Sequence, residues 1–275
     1  SDAPQSLCTM EQLGAAKAFL LIGNDPTEQN PLVAWQIRTA IRNGGARLYM
    51  INAERVKLAR KAKHFIETGP GGEEAVLRYL ATGMGELDAE LTVEVMALKS
   101  ALEKESDLVI LFGAAIKGAR IADLLALGAQ LPGRERYMAL GDYSNSRGAS
   151  DMGLLPDFLP GYAHVDSARE GERFGKLWGA ALPEQRGLSA REMMSAAASG
   201  KLKALVVAGA NPVKTFGADL RKLELLVVLE LFPTETTEQA HIVLPAASAY
   251  EKEGTVTNTA GEVQKLHRAV ETMGP

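Results

Sequence analysis

The sequence predicts an α/β protein made of two Rossmann-like α/β domains with mostly parallel sheets. The main observation is a recurrence: an apolar run that stops at Gly, an amphipathic stretch and a second apolar run occur three times along the chain. Strands that alternate with helices in this way form parallel sheets covered on both faces. The second observation is length, since 275 residues suffice for about two domains, each with its own core.

The first unit opens with the apolar run 18–22 and the loop Gly23-Asn24-Asp25-Pro26. It continues through 31–42, where Leu32, Trp35, Ala40 and Ile41 are spaced for one face of a helix, and closes with the run 47–51. Pro31 suits a first helical turn, where its missing N–H is not needed, and Asn43-Gly44-Gly45 supplies the stop. The second unit runs from 107–112 through Gly113, a helix near 116–129 and the turn Leu131-Pro132-Gly133 to a strand at 137–140. The third runs from 204–207 through Gly209-Ala210-Asn211-Pro212, a helix near 217–222 and a strand at 225–229 to a last short strand at 242–244. Polar helical segments around 55–65, 73–81 and 91–103 are expected to cover the first sheet. Residues 141–187 are rich in Gly, Pro and Ser and weak in periodicity, as an inter-domain crossing would be. The boundary is therefore placed near Asp151, giving an α/β domain over 1–152 and a second over 153–275. Within the crossing, 145–162 holds too many turn formers for a helix and too many apolar residues for a flexible linker, so it is expected to be an ordered loop.

Composition removes several classes of function. Thirty Lys and Arg against 34 Asp and Glu give a formal charge of -4, which disfavours nucleic acid. The longest apolar runs fall far short of the roughly 20 residues of a membrane helix. Ser1-Asp2-Ala3-Pro4 lacks the basic and apolar regions of a signal peptide, so the cytoplasm is the default location. With one cysteine, Cys8, the chain can form no internal disulfide and no cluster of thiolates; Cys8 itself reads as an ordinary thiol. His64, His164, His241 and His267 are scattered without ligand spacing. No Gly-x-Gly-x-x-Gly follows any run and no acidic residue ends a second strand, which argues against an NAD-dependent dehydrogenase. Asp142 is the nearest candidate and reads as a turn residue. Arg147 and Lys214 have the chemistry to meet phosphates but read as solvated loop charges. Glu251 and Glu253 read as turn residues rather than an acid–base pair.

What remains distinctive is the repeated loop. In strand-Gly-x-Asn/Asp-Pro, Gly lets the backbone approach a ligand, the short polar side chain offers hydrogen bonds, and Pro fixes the exit. Two such loops at equivalent places suit a large nucleotide cofactor, although strand-to-helix turns favour the same residues for structural reasons. Four stretches then occur in order: GNDPTEQNP (23–31), NSRGASDMGLLPDFLPGY (145–162), GANPV (209–213) and TETTEQAHIVLPAASAYEKEGTVTN (234–258).

Together these motifs resemble the molybdopterin oxidoreductase family, which contains formate dehydrogenases and dimethyl sulfoxide reductase. The resemblance implies the two-domain α/β core of that family. It also implies that Gly23, Asn24, Asp25 and Pro26 face one half of a bis-guanine-dinucleotide molybdopterin, and Gly209, Asn211 and Pro212 the other, with Thr234 and Thr236 in a matching cofactor-side segment. Several family features are not seen in these residues: an N-terminal iron–sulfur Cys motif, a segment presenting Cys, selenocysteine or Ser to the metal, and the closing β-barrel domain. Asn52-Ala53-Glu54-Arg55 stands where many members have Asp-Pro-Arg.

Within the family the wording of the motifs is most similar to the branch formed by the large iron–sulfur subunit of bacterial NADH:quinone oxidoreductase (respiratory complex I). That branch implies a scaffold in electron transfer from NADH to quinone, with no catalytic residue, no metal site and no cofactor in this chain. Iron–sulfur clusters are then expected only in an N-terminal region beyond it. The implied partners are other peripheral-arm subunits, and the implied location is the cytoplasmic face of the inner membrane, held there through the complex. The alternative is the core of a catalytic molybdenum oxidoreductase of the formate dehydrogenase type that binds molybdopterin guanine dinucleotide.

Overall fold

In a computed structural model of the protein, which describes residues 7–272, β1 (Ala18–Ile22) lies at the centre of a five-stranded parallel sheet. Every residue of AFLLI is apolar and buried, as a strand covered on both faces requires. The sheet has the order β3-β2-β1-β4-β5, with β2 at Arg47–Asn52, β3 at His64–Glu67, β4 at Asp107–Phe112 and β5 at Arg134–Ala139. Alternation along β1 feeds two cores. Ala18, Leu20 and Ile22 pack beneath α3 (Glu73–Thr82), α4 (Ala89–Leu102) and α5 (Arg120–Gln130). Phe19 and Leu21 point the other way, toward α1 (Met10–Ala15) and α2 (Pro31–Gly44). Pro31 starts α2 and Gly45, at φ 65°, ends it, so both boundary signals act as the sequence suggests. The signal-peptide reading of Ser1–Pro4 lies outside the described residues.

The chain divides into two compact units. One holds the described residues up to Arg147 together with Thr257–Glu262; the other holds Gly148–Val256 and the described residues from Val263 on. In the second, β8 (Ala204–Ala208), β9 (Leu225–Glu230) and β10 (Ile242–Pro245) form a parallel sheet of order β10-β9-β8. Val207, Leu226 and Val228 are buried with Ala197 of α8 (Ala190–Ala198) and with Leu220 and Leu223. On the opposite face Val206, Leu225, Ile242 and Leu244 are exposed. The hairpin β11 (Gly254–Thr257) and β12 (Val263–Leu266) has a tip closed by Asn258, whose Oδ1 accepts the amides of Ala260 and Glu262, both at 3.0 Å. Among the described residues no helix is long and apolar enough to cross a membrane.

Several expectations need correction. Residues 55–65 form no α-helix: a 3-10 turn at Lys57–Lys61 leads into β3, which pairs with β2 from Tyr49↔His64 to Asn52↔Glu67. Lys57, Arg60 and Lys61 would repel at helical spacings of three and four, while Phe65 and Ile66 suit a strand. The helix expected near 217–222 lies earlier, as α9 (Pro212–Phe216), because Gly217 at φ 64° terminates a helix rather than starting one. The stretch 145–162 is partly helical: α6 (Ser146–Asp151) precedes the antiparallel pair β6 (Phe158–Leu159) and β7 (Ala163–His164). The weakly periodic region also contains α7 (Ala168–Trp178), capped by Ser167 and anchored by Phe174 against Trp178 at 5.0 Å. A capping box, Ser189 with Glu192, opens α8; its spacing is a local signal that apolar periodicity alone does not register.

Candidate functional site

In the first unit the chain winds from β1 outward to β2 and β3, then returns to β4 and β5 on the other side of β1. Strand order therefore reverses between β1 and β4, and ligands of such sheets bind beyond the carboxyl ends at that point. Both strands end there in glycine. The Gly23 N–H donates to the Ile51 carbonyl at 2.9 Å, and the Gly113 N–H to that of Ile22 at 3.0 Å. Gly23 has φ +61°, and a Cβ on it would fall 2.6 Å from the Ala115 methyl. A Cβ on Gly113 would fall 2.3 Å from the Gly23 carbonyl oxygen. Only glycines let these two loops approach so closely.

Asn24 is buried at this junction. The Asn30 side-chain amide donates to the Gly141 carbonyl at 3.2 Å, which turns its Oδ1 toward Asn24; the Asn24 amide donates to it at 3.4 Å. With the amide orientation so fixed, Asn24 Oδ1 is left buried and without a partner among the described residues. An unmet acceptor of this kind costs about 1–3 kcal/mol and calls for an N–H or O–H donor. Asp25 is spent locally: its Oδ1 accepts the Thr27 amide at 2.9 Å, and its own N–H donates to Gln29 Oε1 at 3.0 Å. Pro26 begins a turn, closed by the Asn30 N–H on its carbonyl at 3.1 Å. Gln29 in turn donates to Asp142 at 3.4 Å.

A residue not singled out from the sequence joins this group. Glu73, the first residue of α3, is 4% exposed, and its Cγ lies 3.9 Å from where a Cβ of Gly23 would be. The available signal is the turn Pro70-Gly71-Gly72 followed by an acid at a helix start, which in the sequence pattern belongs only to a covering helix.

The second loop repeats the backbone of the first with different side-chain bookkeeping. Gly209 has φ +59°, and its N–H donates to the Leu229 carbonyl at 2.9 Å, as Gly23 does to Ile51. Asn211 and Pro212 are the N-cap and first residue of α9, the places that Asn30 and Pro31 occupy in α2. The structural counterpart of Asn211-Pro212 is thus Asn30-Pro31, not Asp25-Pro26. Asn211 is engaged through both side-chain atoms: its amide donates to Glu235 Oε2 at 2.6 Å, and its Oδ1 accepts the Thr236 hydroxyl at 2.8 Å and the Lys214 amide at 3.3 Å. Thr236 is 0% exposed and also accepts the Val213 amide at 3.2 Å. The Asn211 amide, chiefly, holds the Glu235 carboxyl below its ordinary range. Thr234 is engaged locally as well: its Oγ1 accepts the Thr237 amide at 3.3 Å, and its own amide donates to Thr237 Oγ1 at 2.8 Å. Replacing Thr236 by Val should cost about 1 kcal/mol, because the part-buried Val213 N–H loses its acceptor while Asn211 Oδ1 keeps only the Lys214 amide. Thr236→Ser should cost much less; urea denaturation of the two variants checks this.

Of the remaining candidates, Cys8 is buried, and desolvation pushes its thiol up to about 11. It therefore stays protonated and is a poor nucleophile. Glu251 accepts the Ser248 amide at 2.8 Å and closes a turn. Among the described residues, no group of three or more His, Cys, Asp and Glu is placed to hold a metal ion.

The model of the molybdopterin oxidoreductase family matches residues 2–275. The chain is 27% identical to the probable oxidoreductase YjgC of Bacillus subtilis, over 97% of this chain and 32% of that protein. It is 32% identical to the G subunit of the NADH-quinone oxidoreductase of Streptomyces coelicolor, over 95% of this chain and 31% of that one. With the alpha subunit of the F420-dependent formate dehydrogenase of Methanocaldococcus jannaschii it shares 29% identity, over 97% of this chain and 46% of that one. The chain thus spans about a third of the length of the first two relatives and under half of the third.

Proposed function

We propose, from the premise that this chain belongs to the molybdopterin oxidoreductase family, that it is the family-like region of the large iron–sulfur subunit of an NADH:quinone oxidoreductase. There it acts mainly as a scaffold in electron transfer from NADH to quinone, docked among peripheral-arm subunits at the cytoplasmic face of the membrane. The observation that carries this reading is the second loop. Asn211, Glu235 and Thr236 satisfy one another, so the side chains that would meet a cofactor there are already committed to holding the fold. Similarity to the NADH-quinone oxidoreductase polypeptide of Streptomyces coelicolor over 95% of the chain supports it.

A second reading, the core of a catalytic molybdenum oxidoreductase of the formate dehydrogenase type, is favoured by one observation in the first unit. The unmet Asn24 Oδ1 beside the Gly23 and Gly113 backbones fits an N–H donor on a flat, polar ligand, and molybdopterin guanine dinucleotide carries such donors. Gly23, Asn24 and Glu73 would then hold the group in the first unit, and Asp25 and Pro26 would shape the loop; in the second unit the side chains of Asn211 and Thr236 are taken up by their own hydrogen bonds. When bound, such a group supplies redox chemistry at its metal. Elemental mass spectrometry for molybdenum and tungsten on the native, full-length protein, with fluorescence of released pterin, separates the two. Metal and pterin far below one per chain are expected; values near one would replace the scaffold reading by the catalytic one.

A further inference from the structure

The end of the first sheet opposite the glycine loops carries a second, unrelated surface. A cavity of about 610 Å³ opens there, lined by Arg47, Lys63 and His64 at the starts of β2 and β3, and by Ala97, Ser100 and Lys104 on and after α4. Its floor is Tyr49, whose ring stacks on His64 at 5.9 Å. Arg47, Lys63 and Lys104 oppose one carboxylate, Glu105, which is consumed by Arg47 and by the Tyr49 hydroxyl at 2.6 Å. The lining is therefore net positive in a chain whose formal charge is -4. Arg60 and Lys61, both exposed, precede Lys63 on the 3-10 turn. The C-terminal end of α4 presents carbonyls rather than N–H groups, and exposed Glu103 adjoins Lys104, so the positive potential comes from these side chains alone.

An apolar strip continues from the cavity. The outward face of α4 carries Val93, 70% exposed, and Met96, 48% exposed, while Val95, Leu98 and Leu102 fill the core on the inner face. Exposed Glu90 and Glu94 flank Val93, so the outward face of α4 is apolar at 93, 96 and 97 and acidic toward its N-terminal end. Apolar residues at 93 and 96, the small Ala97 and Ser100, and then lysines form a graded surface. A plain anion would use only the lysines, and a plain apolar segment would leave them unpaired.

We propose that this groove docks an amphipathic acidic segment of a partner polypeptide, with its apolar side on Val93 and Met96 and its carboxylates at Lys63 and Lys104. The charge asymmetry selects acidic over basic partners, and the apolar strip selects a polypeptide over a free anion or nucleic acid. The proposal rests on the scaffold reading only in that a partner exists, and it does not depend on any cofactor.

The test is zero-length carbodiimide cross-linking of the native assembly, with the linked peptides sequenced by mass spectrometry. Lys63 or Lys104 should be joined to Asp or Glu of another polypeptide, in a segment with apolar residues at helical spacing. The double charge reversal Lys63→Glu with Lys104→Glu should remove these links and lower retention of that partner at least tenfold. Both positions are exposed, and the far-ultraviolet circular dichroism should stay unchanged. A separate Val93→Ser, Met96→Ser variant should weaken retention while leaving the fold intact. The proposal is overturned if acetic anhydride modifies Lys63 and Lys104 equally fast in the assembly and in the dissociated chain, or if the charge-reversed variant keeps its partners. Equal retention combined with loss of binding to phosphatidylserine vesicles would also overturn it, assigning the lysines to a lipid surface. A failure of any of these leaves the metal and pterin content untouched, so it is distinguishable from failure of the scaffold reading.

Discussion

Gly113→Ala is expected to destabilise the first unit by about 1–3 kcal/mol, the range for forcing an extra methyl into packed surroundings. The reason is steric. The new Cβ would stand 2.3 Å from the Gly23 carbonyl oxygen and 2.9 Å from the Asn24 Cβ, and the nearer atom is backbone that cannot rotate aside. Relief must come from moving the Gly23–Asn24 loop away from β4, which opens the junction where Asn24 is buried and strains the 3.0 Å bond from Gly113 to Ile22. Gly44→Ala is the matched control. Gly44 lies in the last turn of α2 with no described residue within 4 Å of an added Cβ, so the change should be neutral or stabilise by up to about 1 kcal/mol through helix propensity. Urea denaturation of the two variants beside the parent chain reads the contrast. Equal midpoints for Gly113→Ala and the parent would mean that the two loops are not in contact and would remove the geometric basis of the candidate site.

This close approach also marks how far the sequence was legible. Local signals sufficed for the strand–loop–helix–strand units, because each depends on neighbours in the chain: the apolar run 18–22, the Asn30-Pro31 start and the Gly45 stop all lie within one unit. Gly113 was visible only as the end of a run. Its role comes from β4 lying beside β1, which is separated from it by β2, β3 and several helices in sequence. Glu73 was hidden for the same reason: nothing near it in the chain says that α3 begins against Gly23. The two loops correspond at Gly23 and Gly209 but not at Asp25-Pro26 and Asn211-Pro212. Two similar tetrapeptides suggested a full match, but the helix that follows the first loop starts at Pro31, after a turn that Asp25 and Gln29 hold together. Residues 55–65 misled because a basic run looks like a solvated helix face, whereas cross-strand pairing to β2 decides the matter. Whether Asn211 is open or satisfied depends on Glu235 and Thr236, more than twenty residues away, and no motif reports it.

Glu105→Gln is expected to cost about 3 kcal/mol at neutral pH, the low end of what breaking a buried ion pair costs. The side chain of Glu105 is 2% exposed, while that of Arg47 is 44% exposed. Arg47 can therefore return to water when its partner is neutralised, which argues against the upper end of the range. Tyr49 keeps an acceptor in the amide oxygen, so the loss falls mainly on the bidentate guanidinium contact. Desolvation works to raise the Glu105 carboxyl, but the hydrogen bonds from Arg47 and Tyr49 and the nearby charges of Arg47 and Lys63 outweigh it and hold it below the ordinary range. A carboxyl lowered in the folded state binds its proton more weakly there than in the unfolded chain. Its stabilisation is thus fully present above the unfolded value of about 4.3 and is lost as pH falls through the folded value. The parent chain should consequently lead Glu105→Gln in urea midpoint at pH 7 and lose that lead as the solution is made more acidic than the usual carboxylate range. Other carboxylates destabilise both proteins in acid, so the difference between the two midpoints isolates Glu105. A difference that stays constant from pH 7 to about pH 3 would mean that the cost is one of shape rather than charge. The same titration bears on the groove above it, because Arg47 contributes to its positive lining only in so far as Glu105 leaves its outer edge exposed. Glu105→Gln should strengthen binding of an acidic segment while it weakens the fold, an opposition of sign that a merely structural pair would not produce.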